Sequence, residues 1–182
     1  MTNPQTLFIL GSSRGDGETA LLARAVFRRL VVGHREDAEF VDLGGLNIGP
    51  YDYENAHRGD DFLPVAQKMV RAKTIVFASP VYWYSMSGQM KIFFDRLTDL
   101  TGPYRPVGKR LADKHMFAIA TGGSDAAPDS FVRPFADTAD YFEMIWGGLL
   151  YAPGAKPLSP AAKAEAAAFA ARIAAADETV FA

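Results

Sequence analysis

The chain has no cysteine among its 182 residues. That absence removes disulfides, thiolate nucleophiles, thiolate-ligated zinc and cysteine-bound iron–sulfur clusters together. Histidine is scarce: His34, His57 and His115 stand far apart, without the paired spacing of a helical metal site. Charge of one sign is lacking as well. Nineteen Lys and Arg stand against 21 Asp and Glu, a net charge of −2, and neither sign forms a long run. Electrostatics therefore gives no case for nucleic acid or an anionic membrane as partner. No apolar stretch approaches the roughly 20 residues that span a bilayer. Met1-Thr2-Asn3-Pro4-Gln5 lacks the basic region and apolar core of a secretory signal. The expectation is a cytoplasmic protein with neither a nucleic-acid nor a membrane partner.

What is present is ordinary for a soluble globule, 49% hydrophobic and 22% charged. A chain of this length is expected to form one domain over residues 1–182 and to bury roughly 70% of its unfolded surface. Helical and extended patterns alternate. Leu7–Leu10 reads as a buried strand, and Glu18–Val32 as a helix with Leu22, Val26 and Leu30 on one face. Phe40-Val41 makes a short strand ending at Asp42, followed by a long loop to Gly59. Asp60 or Asp61 can cap a helix over Phe62–Ala72. Thr74–Ala78, β-branched and continuous, predicts a strand covered on both faces. Ser87 caps a helix through Leu97, and 101–114 is expected to be irregular. Met116–Ala120 is a fourth strand, Ser130–Ile145 a helix and Leu149–Tyr151 a short fifth strand. Ser159-Pro160 opens an alanine-rich helix to about Ala176. Alternation of this kind predicts an α/β fold: a five-stranded parallel sheet of order 2-1-3-4-5 in a three-layer sandwich, with helices on both faces. Ligands then sit beyond the carboxyl ends of the strands, at the switch point between strands one and three.

Three loops meet there. The first, Gly11-Ser12-Ser13-Arg14-Gly15-Asp16-Gly17-Glu18-Thr19, leads from a strand into a helix. Unpaired helix N–H groups and the positive dipole end attract an anion. Ser12, Ser13 and Thr19 offer hydroxyls, Arg14 a charge-assisted pair, and the glycines a close backbone. A glycine-rich turn with a capping hydroxyl is the simpler account. A P-loop is excluded, because no Gly-Lys-Ser/Thr follows. Gly15-x-Gly17-x-x-Ala20, with Asp42 ending strand two, formally matches a dinucleotide fingerprint, but four residues intervene between the strand and Gly15. Three hydroxyls and an arginine suit a phosphate monoester better than a pyrophosphate. The second loop, Pro80-Val81-Tyr82-Trp83-Tyr84-Ser85, carries three adjacent aromatics, which cannot all face one core. A planar ligand would use their edges and the backbone N–H groups. The third, Thr121-Gly122-Gly123-Ser124, is a common turn in isolation and gains weight from its position. A phosphate monoester at one end and a planar heterocycle at the other is the shape of FMN.

These residues resemble the NAD(P)H-dependent FMN reductase family of flavodoxin-like flavoproteins. The likeness rests on Gly11-Ser12-Ser13-Arg14 with Gly17 and Thr19, on Ser79-Pro80-Val81-Tyr82-Trp83 running into Ser85-Met86-Ser87-Gly88-Gln89-Met90-Lys91, on Phe94-Asp95-Arg96, and on Pro50-Tyr51-Asp52-Tyr53. It covers about Thr6 to Tyr151. It implies that Ser12, Ser13, Arg14, Gly17, Glu18 and Thr19 surround an FMN phosphate. Pro80, Val81, Tyr82, Trp83, Tyr84 and Ser85 would line the isoalloxazine, with Thr121, Gly122, Gly123 and Ser124 at its other edge. It further implies NADPH or NADH as co-substrate, a small-molecule acceptor such as a quinone, and a homodimer or homotetramer to which Lys91, Phe94, Asp95 and Arg96 are candidate contributors, with an ordinary i,i+4 surface pair of Lys91 and Asp95 as the simpler account. No side chain is named as a catalytic acid or base, because the flavin carries the hydride chemistry. Arg105, Lys109 and Arg110 are candidates for an NADPH phosphate, with a solvated loop as the simpler account. Glu18 departs from the asparagine common in such loops, and a carboxylate beside a dianion is unfavourable. The missing cysteines set the chain apart from the iron–sulfur flavoproteins among these relatives. A flavodoxin-type electron carrier and a small NAD-binding Rossmann protein are the alternatives.

Overall fold

A computed structural model describes residues 5–33, 38–54 and 56–178; His34 and the first four residues lie outside them. Five parallel strands make one sheet of order β2-β1-β3-β4-β5. They are β1 (Thr6–Leu10), β2 (Ala38–Asp42), β3 (Thr74–Pro80), β4 (His115–Gly122) and β5 (Ile145–Pro153). The helices are α1 (Glu18–Gly33), α2 (Phe62–Arg71), α3 (Gly88–Arg96), α4 (Arg105–Gly108), α5 (Asp129–Tyr141) and α6 (Pro160–Glu178). Every residue of β1 and β3 is buried, because helices cover both faces of the sheet.

Strand alternation sorts the core into two layers. Leu7, Ile9, Ile75, Phe77, Met116 and Ala118 face the layer of α2, α3 and α5, packing with Phe62, Met69, Phe93 and Phe135. Phe8, Leu10, Val76, Ala78, Phe117 and Ile119 face α1 and α6, packing with Leu22, Val26, Phe169 and Ile173. All crossovers place the loops that follow β1, β3 and β4 at one end of the sheet.

Two segments depart from the sequence expectation. The helix expected to run to Ile145 stops at Tyr141, and β5 begins at Ile145 rather than Leu149. The stop is a Schellman motif: Glu143 N–H donates to Asp140 O at 3.0 Å and Met144 N–H to Ala139 O at 2.8 Å. Glu143 takes φ +57 where glycine is usual, so the sequence carries no glycine signal for the stop. The expected irregular region 101–114 holds the short helix α4 and a 3-10 turn over Lys109–Leu111.

Candidate functional site

Loop 11–17 leaves β1 under α3. A Cβ on Gly11 would lie 2.8 Å from Cβ of Met90, so only glycine lets α3 approach this closely. The Ser12 hydroxyl donates to Arg14 O at 3.1 Å, and Gly17 N–H closes the turn on Arg14 O at 3.2 Å. Leu21 N–H is the first to bond back into the helix, on Gly17 O. The N–H groups of Glu18, Thr19 and Ala20 precede it, at the positive end of α1. Arg14 Nη2 meets Glu18 Oε2 at 3.3 Å, so Glu18, the anomalous acid of this loop, is the counter-ion of its arginine. Thr19 is buried, and its hydroxyl pairs with that of Thr121 at 2.6 Å. Asp42, the residue weighed as a ribose acid, instead accepts from Gly44 N–H at 2.9 Å and caps the 3-10 turn after β2.

The aromatic loop is a tight two-residue hairpin. Tyr82 and Ser85 exchange backbone hydrogen bonds at 2.9 and 3.0 Å, and the two central residues, Trp83 and Tyr84, have φ +48 and +66. Positive φ at both central positions is the type I′ pattern, which favours Asn-Gly. Two bulky aromatics there are strained, and such strain is a pointer to function. Trp83 is 93% exposed and Tyr84 68%. Ser130 of α5 braces the turn through a 2.8 Å hydrogen bond to Tyr84 O.

Buried hydroxyls tie the loops together. Ser79 Oγ accepts from Ser87 N–H at 2.9 Å. Ser87 Oγ donates to Gly11 O at 2.6 Å and caps α3 by accepting from Met90 N–H. Val81 N–H donates to Thr121 O at 2.8 Å. The Tyr151 hydroxyl, on β5, donates to Ser124 O at 2.5 Å. Burial pushes that hydroxyl above the ordinary tyrosine value, so it stays protonated and a donor in neutral solution. Val81, Trp83, Tyr84, Gly122, Gly123, Ser124 and Tyr151 line a cleft of about 250 Å³. An anion-attracting helix start and an aromatic-rimmed cleft thus share one seam, joined at Thr19 and Thr121.

Other residues singled out from the sequence stand elsewhere. Arg105 and Lys109 line a separate cavity of about 450 Å³ with Tyr141 and Phe142. It lies beside the segments that precede β4 and β5, at the opposite end of the sheet from the three loops. Lys91 and Asp95 pair at the surface, but Arg96 turns inward. It is 4% exposed, pairs with Asp60 and Asp99 at 2.5 and 2.8 Å, and donates to Gly49 O at 3.0 Å. Burial alone would raise the Asp60 carboxyl. Hydrogen bonds from Arg96 and from the N–H groups of Phe62 and Gly49 outweigh it and hold the group below the ordinary aspartate value. This network closes the neck of loop 46–61, which carries the edge-to-face pair Tyr51–Tyr53. Among the described residues, no cluster of His, Asp and Glu is placed to hold a metal ion. No helix among them is long and apolar enough to cross a membrane.

A family model described as NADPH-dependent FMN reductase matches residues 4–148. The chain belongs to this family. It is an NAD(P)H-dependent oxidoreductase, with FMN as its cofactor and NADPH or NADH as co-substrate. A Bacillus subtilis protein whose name provisionally describes an NAD(P)H-dependent FMN-containing oxidoreductase is 29% identical over 159 residues, 82% of this chain and 84% of the relative. Two solved structures share the fold. The Trp repressor binding protein of Bacillus subtilis superposes with a TM-score of 0.65 at 24% identity, covering 92% of this chain and 96% of its own. General stress protein 14 of Treponema denticola, solved in complex with FMN, gives 0.64 at 18% identity, covering 97% and 99%. The fold is flavodoxin-like.

Proposed function

We propose that this FMN reductase moves reducing equivalents from NADPH or NADH to a planar acceptor of the quinone class. In balance, NAD(P)H, a proton and a quinone give NAD(P)⁺ and a hydroquinone. FMN supplies the hydride chemistry when bound; the chain binds, orients and shields. At the phosphate end, the N–H groups of Glu18, Thr19 and Ala20, the hydroxyl of Ser13, and Arg14 suit a dianion, while the Ser12 hydroxyl, spent on Arg14 O, shapes the loop. The phosphate competes with Glu18 for the Arg14 guanidinium. The Thr19 side chain contributes through its pairing with Thr121 rather than as a free hydroxyl. At the ring end, Pro80–Ser85 and Thr121–Ser124 flank the cleft, and Tyr151 holds the Ser124 carbonyl in place. Trp83 and Tyr84 stand at the rim, where a flat acceptor would arrive.

The observation that carries this reading is the junction itself: an anion-binding helix start hydrogen-bonded to the wall of an aromatic-rimmed cleft. Steady-state assays with NADPH and NADH against a series of quinones test it. Turnover with two-electron quinone reduction is expected. Electron delivery only to one-electron redox proteins, with no oxidation of either nicotinamide, would make the chain a carrier instead.

A further inference from the structure

Lys156 stands outside the loops that the sequence pattern marks. It belongs to a strap, residues 154–159, that joins β5 to α6 and runs back past the start of α1. Gly154 N–H donates to Gly122 O at 2.8 Å, and a Cβ on Gly154 would lie 3.9 Å from Cγ of Glu18. Two residues on, Lys156 Nζ donates to both the carbonyl and the carboxylate of Asp16, each at 3.2 Å. The lysine hydrogen bond, then its charge, holds the Asp16 carboxyl below the ordinary aspartate value.

The loop around the helix start therefore carries two cations and two carboxylates. Arg14 is paired with Glu18 and Lys156 with Asp16. In that pairing the four charges cancel, the Asp42 carboxylate lies against Gly15 as well, and the loop has little net attraction for an anion beyond the helix start. Both pairs are solvated: Lys156 and Asp16 are 55% and 83% exposed in their side chains. An ion pair so open to water is weak and salt-screened. The lysine ammonium, a point charge on a flexible four-carbon stem, can leave it at little cost, and the released carboxylate is already in water. A phosphate monoester brings the two negative charges that two released cations match.

We propose that Lys156 is the second cation of the phosphate end, a specificity-determining residue that favours FMN over the same flavin without its phosphate. The inference rests on the FMN reading of the three loops. It differs from a structural role for the strap, which would act on both flavins alike.

Dissociation constants for FMN and riboflavin, measured on the wild-type chain and on Lys156→Gln, Lys156→Arg and Asp16→Asn, test it. Lys156→Gln should weaken FMN by roughly 5- to 20-fold at low salt, the scale of one partly exposed charge-assisted hydrogen bond, and leave riboflavin unchanged. Lys156→Arg should restore most of the loss. Asp16→Asn, which removes the carboxylate charge that competes for the lysine while keeping the main-chain carbonyl, should tighten FMN without affecting riboflavin. Equal weakening of both flavins in Lys156→Gln would assign the lysine to the strap alone and overturn the inference, as would an unchanged FMN constant. Failure of the wild-type chain to bind either flavin would overturn the cofactor reading, and the inference with it.

Discussion

Replacing Trp83-Tyr84 by Asn-Gly should make the protein more stable and, on the proposed function, slower at reducing a planar quinone. Both aromatics occupy left-handed backbone, with φ +48 and +66. That conformation costs an L-residue roughly 1–2 kcal/mol, and Asn-Gly is the pair that adopts it most readily in a two-residue hairpin. Trp83 is 93% exposed and Tyr84 68%, so their removal leaves no cavity. Glycine gives back about 1 kcal/mol through the freedom of the unfolded chain. The net expectation is a gain of about 1–3 kcal/mol, or a Tm rise of roughly 3–10 °C for a chain of this size. Urea unfolding of the flavin-free protein measures it without a ligand contribution, with a higher midpoint and an unchanged m-value. In the same variant, kcat/KM for a planar quinone should fall at least about tenfold, some 1.4 kcal/mol of transition-state binding, while the FMN dissociation constant changes little. A lower urea midpoint would show that the aromatics pack for more than their backbone costs. An unaltered kcat/KM would remove them from the acceptor's path.

Three further perturbations concern the scaffold. Arg96→Ala leaves Asp60 and Asp99 buried without their cation and should cost about 3–5 kcal/mol in urea unfolding. The depressed Asp60 carboxyl contributes stability above its unfolded value and loses it as pH falls through the folded one. The gap between wild type and Asp60→Asn should therefore be full at neutral pH and shrink below about pH 4; a gap independent of pH would remove Asp60 as an ionised partner. Thr19→Val strands the buried Thr121 hydroxyl and should cost about 1–3 kcal/mol, most of it recovered in Thr19→Val/Thr121→Val. Additive losses in that cycle would mean the two hydroxyls are not partners.

The strands and their order were legible because continuous β-branched and apolar runs, such as Thr74–Ala78, suit only a sheet covered on both faces. The caps at Ser87 and Ser159 were legible from local chemistry, and both accept from the expected helix N–H groups. What stayed hidden depended on partners distant in sequence or on unusual residues at special backbone positions. Arg96 reads as one more charge on a surface helix until Asp60, 36 residues away, closes on it. Glu143 ends α5 in a left-handed conformation that glycine would have announced. The strain at Trp83 and Tyr84 is invisible in composition, although three adjacent aromatics flagged the loop. Lys156 lies 140 residues from Asp16, and no local pattern joins them. Glu18 looked misplaced in an anion loop; its i,i+4 spacing from Arg14 was the available signal, and the structure pairs them.

The central claim is that the helix start at Glu18 and the cleft beside Trp83 hold one FMN that nicotinamide reduces and a quinone reoxidises. Anaerobic titration of the purified protein, followed through the visible absorbance band of its flavin, addresses it directly. The protein should be yellow and release FMN rather than FAD on denaturation. It should be bleached by one equivalent of NADPH or NADH per flavin, and recover its band on addition of one equivalent of quinone. A protein that binds no FMN, or whose flavin is left oxidised by both nicotinamides, would contradict it.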